Sequence, residues 1–116
     1  MIRKSSEMEQ TVRENMRGGQ GKITITQIFK QEELKGHCRL CARITIGPGD
    51  SIGFHEHVDE EEIFLILRGR GEVVENGSKQ EVVAGDAILT GGGAGHAIKN
   101  IGNEPLELIG IILLYS

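Results

Sequence analysis

Turn-forming residues interrupt this sequence so often that long helices are excluded from most of it. All 17 glycines of the 116-residue chain lie in residues 18–116, and none lies in residues 1–17. Glycine adopts the positive φ angles of tight turns at little cost, so this density predicts short elements joined by turns. The sequence therefore predicts a short N-terminal arm, residues 1–21, and a single all-β domain, residues 22–116.

The segments between the turns have the patterns of short strands. Residues 38–46 alternate regularly, as in a half-buried strand, and Asn76-Gly77 is a strong signal for a type I′ hairpin turn. Further strands are predicted over residues 22–29, 62–67, 71–75, 79–83, 86–89, 96–98 and 106–115. Many short strands with frequent turns indicate a sandwich or a small barrel.

The N-terminal arm contains the one helix that the sequence predicts, over residues 6–16. Ser6 and Glu9 have the spacing of a capping box, and an apolar residue recurs at every fourth position, at Met8, Val12 and Met16. Gly18-Gly19 then ends the pattern. We expect this segment either to dock as a helix on the barrel or on a partner subunit, or to remain a frayed arm.

Composition excludes several classes of function. Thirteen Lys and Arg against seventeen Asp and Glu give a net charge of −4, and the chain has only four Phe or Tyr residues, so we expect no binding to nucleic acid. The longest apolar run, residues 108–115, is far shorter than the ~20 residues of a membrane span. The first residues lack the apolar segment of a secretory signal. We therefore expect a cytoplasmic protein without a membrane partner.

The only cysteines, Cys38 and Cys41, form a Cys-x-x-Cys pair. Such a pair can belong to a zinc site, but zinc needs four ligands and the chain has no second pair. On a regular strand, residues three apart point to opposite faces. We therefore expect two structural thiols whose sulfur atoms diverge.

Three of the four histidines suggest a metal site. His55 and His57 are two positions apart, so on a strand both side chains project from one face. Glu62 follows five residues later, and His96 lies on another predicted strand behind the glycine-rich residues 91–95. Imidazoles with one carboxylate suit manganese, iron, nickel, cobalt or zinc, whereas calcium and magnesium prefer oxygen ligands alone.

Each of these features also has a simpler interpretation. A His-x-His pair occurs often on protein surfaces, the acidic residues 59–62 are typical of a solvated loop, and residues 91–95 are typical of a mobile loop. Considered one by one, the residues leave both interpretations open.

The spacings, taken together, resemble the two sequence motifs of the cupin superfamily. The first motif has the form G-x5-H-x-H-x(3,4)-E-x6-G, and the chain matches it at Gly49, His55, His57, Glu62 and Gly69. The second has the form G-x5-P-x-G-x2-H-x3-N, and the chain matches it at Gly85, Gly93, His96 and Asn100. One fixed position differs, because Gly91 stands where the motif has proline.

This resemblance implies a small single-domain cupin, folded as a double-stranded β-helix, which is a jelly-roll-like barrel around a metal ion. It implies one divalent transition metal per chain, with manganese or iron favoured over nickel, cobalt, zinc or copper. The implied metal ligands are His55, His57, Glu62 and His96. Glu61 competes for the carboxylate position, but only Glu62 leaves six residues before Gly69. If Glu62 points inward, Glu61 must point outward.

The resemblance also implies a small-molecule ligand inside the barrel and two alternative functions. The favoured function is a metal-dependent enzyme acting on a small carboxylate or oxygenated substrate, similar to oxalate decarboxylase-like or dioxygenase-type cupins. The alternative is a non-enzymatic domain that binds a small ligand or senses a sugar. Small cupins usually dimerise, so we expect a homodimer, with residues 1–28 available for exchange between subunits. Candidate cations inside the barrel are Arg39, Arg43, Arg68 and Arg70.

Overall fold

The computed structural model describes all 116 residues, and ten β-strands form most of it. The strands are β1 (Gln10–Glu14), β2 (Lys22–Gln27), β3 (Cys38–Ile46), β4 (Ser51–Glu56), β5 (Glu60–Arg68), β6 (Arg70–Glu75), β7 (Ser78–Val83), β8 (Ala87–Gly91), β9 (Gly95–Asn100) and β10 (Leu106–Leu114). Three single 3₁₀ turns complete the regular structure, at Ser5–Glu7, Met16–Gly18 and Gln31–Glu33. None of these helical segments has the length and apolar character needed to cross a membrane.

The strands form two antiparallel sheets that enclose the core. One sheet has the order β1-β2-β3-β10-β5-β8, and the other has the order β4-β9-β6-β7. The chain passes repeatedly from one sheet to the other, as in a jelly roll. This arrangement confirms the predicted all-β, jelly-roll-like barrel.

Alternation along the strands fills the space between the sheets. In β10 the residues at every second position, from Leu106 to Ile112, are buried, and those between them are partly exposed. Thirteen buried apolar residues form one cluster, in which Phe64 and Leu108 are almost completely inaccessible. Because the inner face of each strand is apolar, a polar side chain on that face must find a partner inside the barrel.

The predicted hairpin at Asn76-Gly77 is confirmed. Both residues have positive φ angles, 51° and 75°, as a type I′ turn requires. The turn joins β6 to β7, so that Glu75 lies opposite Ser78. The prediction for β3, over residues 38–46, also matches the observed strand.

The predicted helix over residues 6–16 is wrong. The segment contains a 3₁₀ turn and β1, which pairs antiparallel with β2 from Gln10 opposite Thr26 to Glu14 opposite Lys22. Without β1, the outer edge of β2 would present unpaired backbone groups, and pairing along that edge satisfies them. The loop between the two strands turns sharply because Asn15 and Arg17 adopt left-handed conformations, with φ angles of 49° and 55°. Neither residue is a glycine, so the sequence did not indicate positive φ angles at these two positions.

The expected divergence of the two cysteines is also wrong. In the pairing of β3 with β10, Leu40 lies opposite Ile112 while Cys38 lies opposite Leu113, so Arg39 is an extra residue in a bulge. The extra residue shifts the alternation by one, and both cysteines then lie on the outer face of the six-stranded sheet. Both thiols are free and half-buried. Burial raises the pKa of Cys41, so its thiol is protonated at neutral pH.

The arm is pressed against β4 at two glycines. A Cβ atom on Gly53 would lie 2.0 Å from the carbonyl oxygen of Arg17, and one on Gly19 would lie 2.2 Å from the carbonyl oxygen of Ser51. These distances are far below van der Waals contact, so only glycine permits the two backbones to approach this closely. The turn at residues 15–19 is therefore fixed against the strand that carries His55.

Substitution of Gly53 by alanine tests this close approach. We expect Gly53→Ala to force the turn away from β4 and to lower the free energy of unfolding by about 1–3 kcal/mol, measured by chemical denaturation. Gly36→Ala is the matched control, because a Cβ at Gly36 meets no atom within 4 Å; its effect is expected within about 1 kcal/mol. Equal effects of the two substitutions would contradict the tight docking of the arm.

Candidate metal centre

Three strands bring the four predicted ligands together inside the barrel. His55 lies near the end of β4 and His57 just beyond it, Glu62 lies on β5, and His96 lies on β9. His55 is directly opposite His96 in the antiparallel pairing of β4 with β9. A register shift between Ile52 and His55 marks a bulge in β4 immediately before the histidines. Bulges re-aim side chains, and this one lies where two imidazoles turn into the barrel.

The acceptor atoms of the four side chains converge on one point. The Nε2 atom of His96 lies 3.1 Å from Nε2 of His57, 3.2 Å from Nε2 of His55 and 3.0 Å from Oε1 of Glu62. Nε2 of His57 is also 3.0 Å from the same carboxylate oxygen. All four ligand atoms lie within 4.8 Å of one another. Ligands at right angles around an ion, with bonds of about 2.1 Å, are separated by roughly 3.0 Å.

The outer nitrogen of each ring is occupied by a hydrogen-bond acceptor. Nδ1 of His55 lies 2.8 Å from the carbonyl oxygen of Gly53, and Nδ1 of His57 lies 2.5 Å from Oε2 of Glu60. Neither oxygen can donate, so both Nδ1 atoms carry the proton. Nδ1 of His96 lies 2.9 Å from Oγ1 of Thr90, whose own hydrogen is donated to Glu75. His96 therefore also donates through Nδ1.

These tautomers leave a cluster of acceptors without a donor. Each neutral ring directs the lone pair of Nε2 inward, where it meets the other lone pairs and a carboxylate oxygen. Acceptors that face one another away from water need a cation to stabilise them. The donor set therefore fits a divalent transition metal, and the cluster can hold a single ion.

Glu62 is the carboxylate of the cluster, and Glu61 is not. Glu62 is 3% exposed, whereas Glu61 lies opposite Leu113 on the outer face of the sheet. Desolvation by burial raises the pKa of Glu62, but the surrounding histidines outweigh that penalty and lower the pKa overall, because an imidazole that takes up a second proton donates to the carboxylate and attracts it. Glu62 is therefore ionised at neutral pH.

A partly buried ion pair supports His57 from outside the cluster. Arg39 donates to both carboxylate oxygens of Glu60, at 2.8 and 2.9 Å, and Glu60 accepts from His57. The hydrogen bond from Arg39 lowers the pKa of Glu60 to about 2, in spite of desolvation and with a further contribution from His57. A carboxylate that accepts from a ligating imidazole fixes the orientation of the ring and increases its basicity.

His96 is held by polar and aromatic neighbours. The hydrogen bonds through Thr90 to Glu75 connect its ring to β8 and β6. The ring of Phe64 stacks on it, with centroids 4.7 Å apart and planes inclined by 11°. Gly110 lies beside Phe64 and Glu62, and a Cβ there would be 3.6 Å from Cε1 of Phe64, 3.5 Å from Oε2 of Glu62 and 3.0 Å from Cδ1 of Ile44. The ring has little freedom to rotate away from the cluster.

The cluster opens into a cavity of about 620 Å³. One wall consists of barrel side chains, including His55, His57, Glu62 and Phe64, together with apolar residues of the core. The rest of the lining comes from the N-terminal arm, from Arg13 to Arg17. The cavity is within the range of ~300–1,000 Å³ that is typical of small-molecule sites.

Only one of the four candidate arginines faces this cavity. Arg39 lines it because the bulge in β3 directs its side chain inward. Arg43 lies opposite Ile109 on the outer face, and Arg70 forms an exposed ion pair with Glu81 at 2.6 Å. Arg68 is also exposed, since a register shift in the pairing of β5 with β10 precedes it.

Several residues of the site were absent from the sequence-based prediction. Glu60 could have been found, because it lies two positions before Glu62 and shares its inward face on a strand. Thr90, Glu75 and the arm residues come from distant parts of the chain, and no local pattern relates them to the histidines.

Comparison with known proteins agrees with the fold. The cupin domain family matches residues 42–112, which is more than half of the chain. The chain is 39% identical over 114 residues to the oxalate-binding protein of Thermotoga maritima, covering 98% of this chain and 94% of that protein. The chain therefore belongs to the cupin family.

Two solved structures show the same fold. The crystal structure of a predicted oxalate decarboxylase from Thermotoga maritima superposes with a TM-score of 0.94 at 38% identity and covers 98% of this chain and 99% of that chain. A cupin 2 conserved barrel domain protein from Salinispora arenicola superposes with a TM-score of 0.76 at 21% identity, over 97% and 87% of the two chains. The second similarity concerns the fold alone.

Replacing Glu60 with a neutral residue tests whether its carboxylate orients the ring of His57. We expect Glu60→Gln to weaken metal binding by about 10- to 100-fold, because the ring loses its carboxylate acceptor and Arg39 loses its partner. Titration against a chelator of known affinity measures the change. Glu61→Gln is the matched control, since it removes the same charge one residue away on the outer face, and we expect it to bind the metal normally.

Proposed function

We propose that this cupin binds one divalent transition metal through His55, His57, Glu62 and His96, and binds a small carboxylate of the oxalate type at that metal. The main support is the donor-free cluster of acceptor atoms beside a cavity of about 620 Å³. A relative at 39% identity is named an oxalate-binding protein, and it aligns with nearly the whole chain. Manganese and iron remain the favoured ions, because nitrogen and carboxylate ligands suit both.

The residues of the site have distinct roles in this proposal. A divalent ion in the cluster supplies a Lewis acid that attracts and polarises a carboxylate. Glu62 neutralises part of the charge of the ion, and the histidines hold it through their Nε2 atoms. Arg39 remains bound to Glu60, so its main role is to position His57. Ile44, Ile52, Phe64 and Ile112 provide an apolar wall that limits access of water.

In the favoured version of this function, the protein is an enzyme that converts the bound carboxylate by decarboxylation or dioxygenation. The name of the structurally similar Thermotoga protein, a predicted oxalate decarboxylase, supports this version. Apart from Glu62, the only carboxylate lining the cavity is Glu14, on the arm. This scarcity of proton-transferring groups favours the alternative, a domain that binds its ligand without converting it.

Removal of a histidine tests the metal site. We expect elemental analysis to find one transition-metal ion per chain, and we expect a hundredfold excess of metal over its Kd to add about 2.7 kcal/mol to the free energy of unfolding. His96→Ala should abolish both effects. His37→Ala is the control, since His37 is exposed and outside the cluster. Stabilisation by metal that persists in His96→Ala would contradict the assigned ligands.

Incubation with oxalate separates binding from turnover. Calorimetry on the manganese-loaded protein should show binding of oxalate that disappears when the metal is removed. Formate and carbon dioxide produced from oxalate, or oxygen consumed with it, would identify an enzyme. Binding without either change would identify a non-enzymatic domain, and no binding would contradict the proposed ligand.

We also propose that two copies pair through the outer face of the six-stranded sheet. Six apolar residues lie on this face, on three neighbouring strands, namely Ile63, Leu65, Leu89, Ile109, Ile111 and Leu113. Leu65 and Leu89 are 40% and 61% exposed, which is a large apolar surface for one chain to present to water. We further propose that residues 1–21 form an arm and residues 22–116 the barrel, with β1 paired to β2 of its own chain.

A charge on this face tests the dimer. We expect the protein to sediment as a dimer, and Leu65→Lys to sediment as a monomer because each copy would bury an unpaired lysine in the interface. Val83→Lys is the matched control, since Val83 is 46% exposed on the other sheet. A monomeric wild-type protein, or a dimer that tolerates Leu65→Lys, would contradict this interface.

A further inference from the structure

Two arginines of the N-terminal arm line the cavity that contains the histidine cluster. Arg13 lies on β1 and Arg17 in the turn that follows it, and both line the cavity together with His55 and His57. Neither residue belongs to the barrel motifs. The arm therefore adds charged groups to a cavity that the barrel alone would leave open.

Both guanidinium groups lack a protein partner. Arg13 and Arg17 form no ion pair, although six of the other basic side chains do so with Glu residues, namely Arg3, Lys22, Lys30, Arg39, Arg68 and Arg70. Glu14 is the one acidic residue of the arm in this cavity, and its carboxylate lies 3.9 Å from Nζ of Lys22. The two arginines are thus available to an anion.

The turn that carries Arg17 is held firmly against the barrel. The amide of Gln20 donates to Oγ of Ser51, and the amide of Ser51 donates to the carbonyl oxygen of Gln20, both at 2.9 Å. The contact between Gly19 and Gly53 removes any space between the turn and β4. A cation on this turn has a fixed position relative to His55, which follows two residues after Gly53.

Arg17 occupies a backbone conformation that disfavours its side chain. Its φ and ψ angles are 55° and 32°, in the left-handed region where glycine is preferred. Glycine occupies the next two positions, Gly18 and Gly19, but not this one. Strained non-glycine residues cluster at binding sites, where the side chain has a role that offsets the strain.

The side chains that line the cavity carry a net positive charge. Three of them are arginines, Arg13, Arg17 and Arg39, and two are carboxylates, Glu14 and Glu62. A divalent ion in the cluster would add two positive charges. A ligand with two negative charges compensates more of this charge than a monocarboxylate does.

We propose that Arg13 and Arg17 form an anion-binding subsite that selects dicarboxylates, with one carboxylate at the metal and the other at the arm. This inference rests on the proposed function, since it assumes that a carboxylate binds at the cluster. The cavity, at about 620 Å³, has room for a dicarboxylate longer than oxalate. The arm thereby determines which carboxylates the barrel accepts.

Calorimetry with carboxylates of equal chain length tests the subsite. The manganese-loaded protein is titrated with succinate and with butyrate, which differ in one terminal carboxylate, and with oxalate. We expect the wild-type protein to bind succinate about tenfold more tightly than butyrate, because the second carboxylate gains charge-assisted hydrogen bonds. The double variant Arg13→Gln/Arg17→Gln should lose this preference while its affinity for butyrate and for manganese stays unchanged.

Two further variants separate ligand binding from folding. Arg17→Gly removes the side chain and relieves the backbone strain, so we expect an unchanged or higher Tm together with weaker binding of succinate. Arg68→Gln is the charge-matched control, because Arg68 is exposed and does not line the cavity, and it should bind succinate like the wild-type protein.

The outcomes distinguish the subsite from the proposed function. Equal affinities for succinate and butyrate in the wild-type protein, or a preference that survives the double variant, overturn the subsite while metal and oxalate binding stand. Failure of every carboxylate to bind the manganese-loaded protein overturns the proposed ligand and the subsite together. Loss of manganese binding in the double variant also overturns the subsite, because the arm would then act on the metal cluster.

Discussion

The barrel holds three imidazole nitrogens and a carboxylate oxygen in contact, with four of their separations between 3.0 and 3.2 Å. These atoms are acceptors, and at such distances in a water-poor interior they repel one another unless a cation lies among them. The surrounding structure must therefore resist their separation. It does so by fixing the protonated nitrogen of each ring, which determines where the lone pair of the other nitrogen points.

The three ring anchors belong to different parts of the fold. His55 is anchored by the backbone of its own strand, His57 by Glu60 on β5, and His96 by Thr90 on β8. β4 and β9 belong to the four-stranded sheet, whereas β5 and β8 belong to the six-stranded sheet. The geometry of the cluster thus depends on how the two sheets pack. A change in the core that shifts one sheet against the other would also move the rings away from their anchors.

Periodicity in the sequence was enough to predict eight of the ten strands, because side chains alternate strictly along a regular strand. The resemblance to the cupin motifs, and not periodicity alone, placed four side chains at one site. Periodicity failed where one residue interrupts the alternation. The extra residue at Arg39 puts Cys38 and Cys41 on the same face and turns Arg39 inward, and another irregularity accompanies the exposure of Arg68. A bulge leaves the composition of a strand unchanged, so it is visible only in the pairing with the neighbouring strand.

The arm illustrates a second limit, since its structure is determined by contacts distant in sequence. Residues 6–16 have helical spacing, yet a helix of this length is marginal in water without a packed face, and the edge of β2 offers a full set of backbone partners. Because β1 pairs with β2, the turn at residues 15–19 packs against β4, close to the histidines. The segment that completes the sheet therefore also closes the cavity. A ligand held between the metal cluster and the arm would favour the docked arm by mass action, so that ligand binding and the stability of the N-terminal strand are coupled.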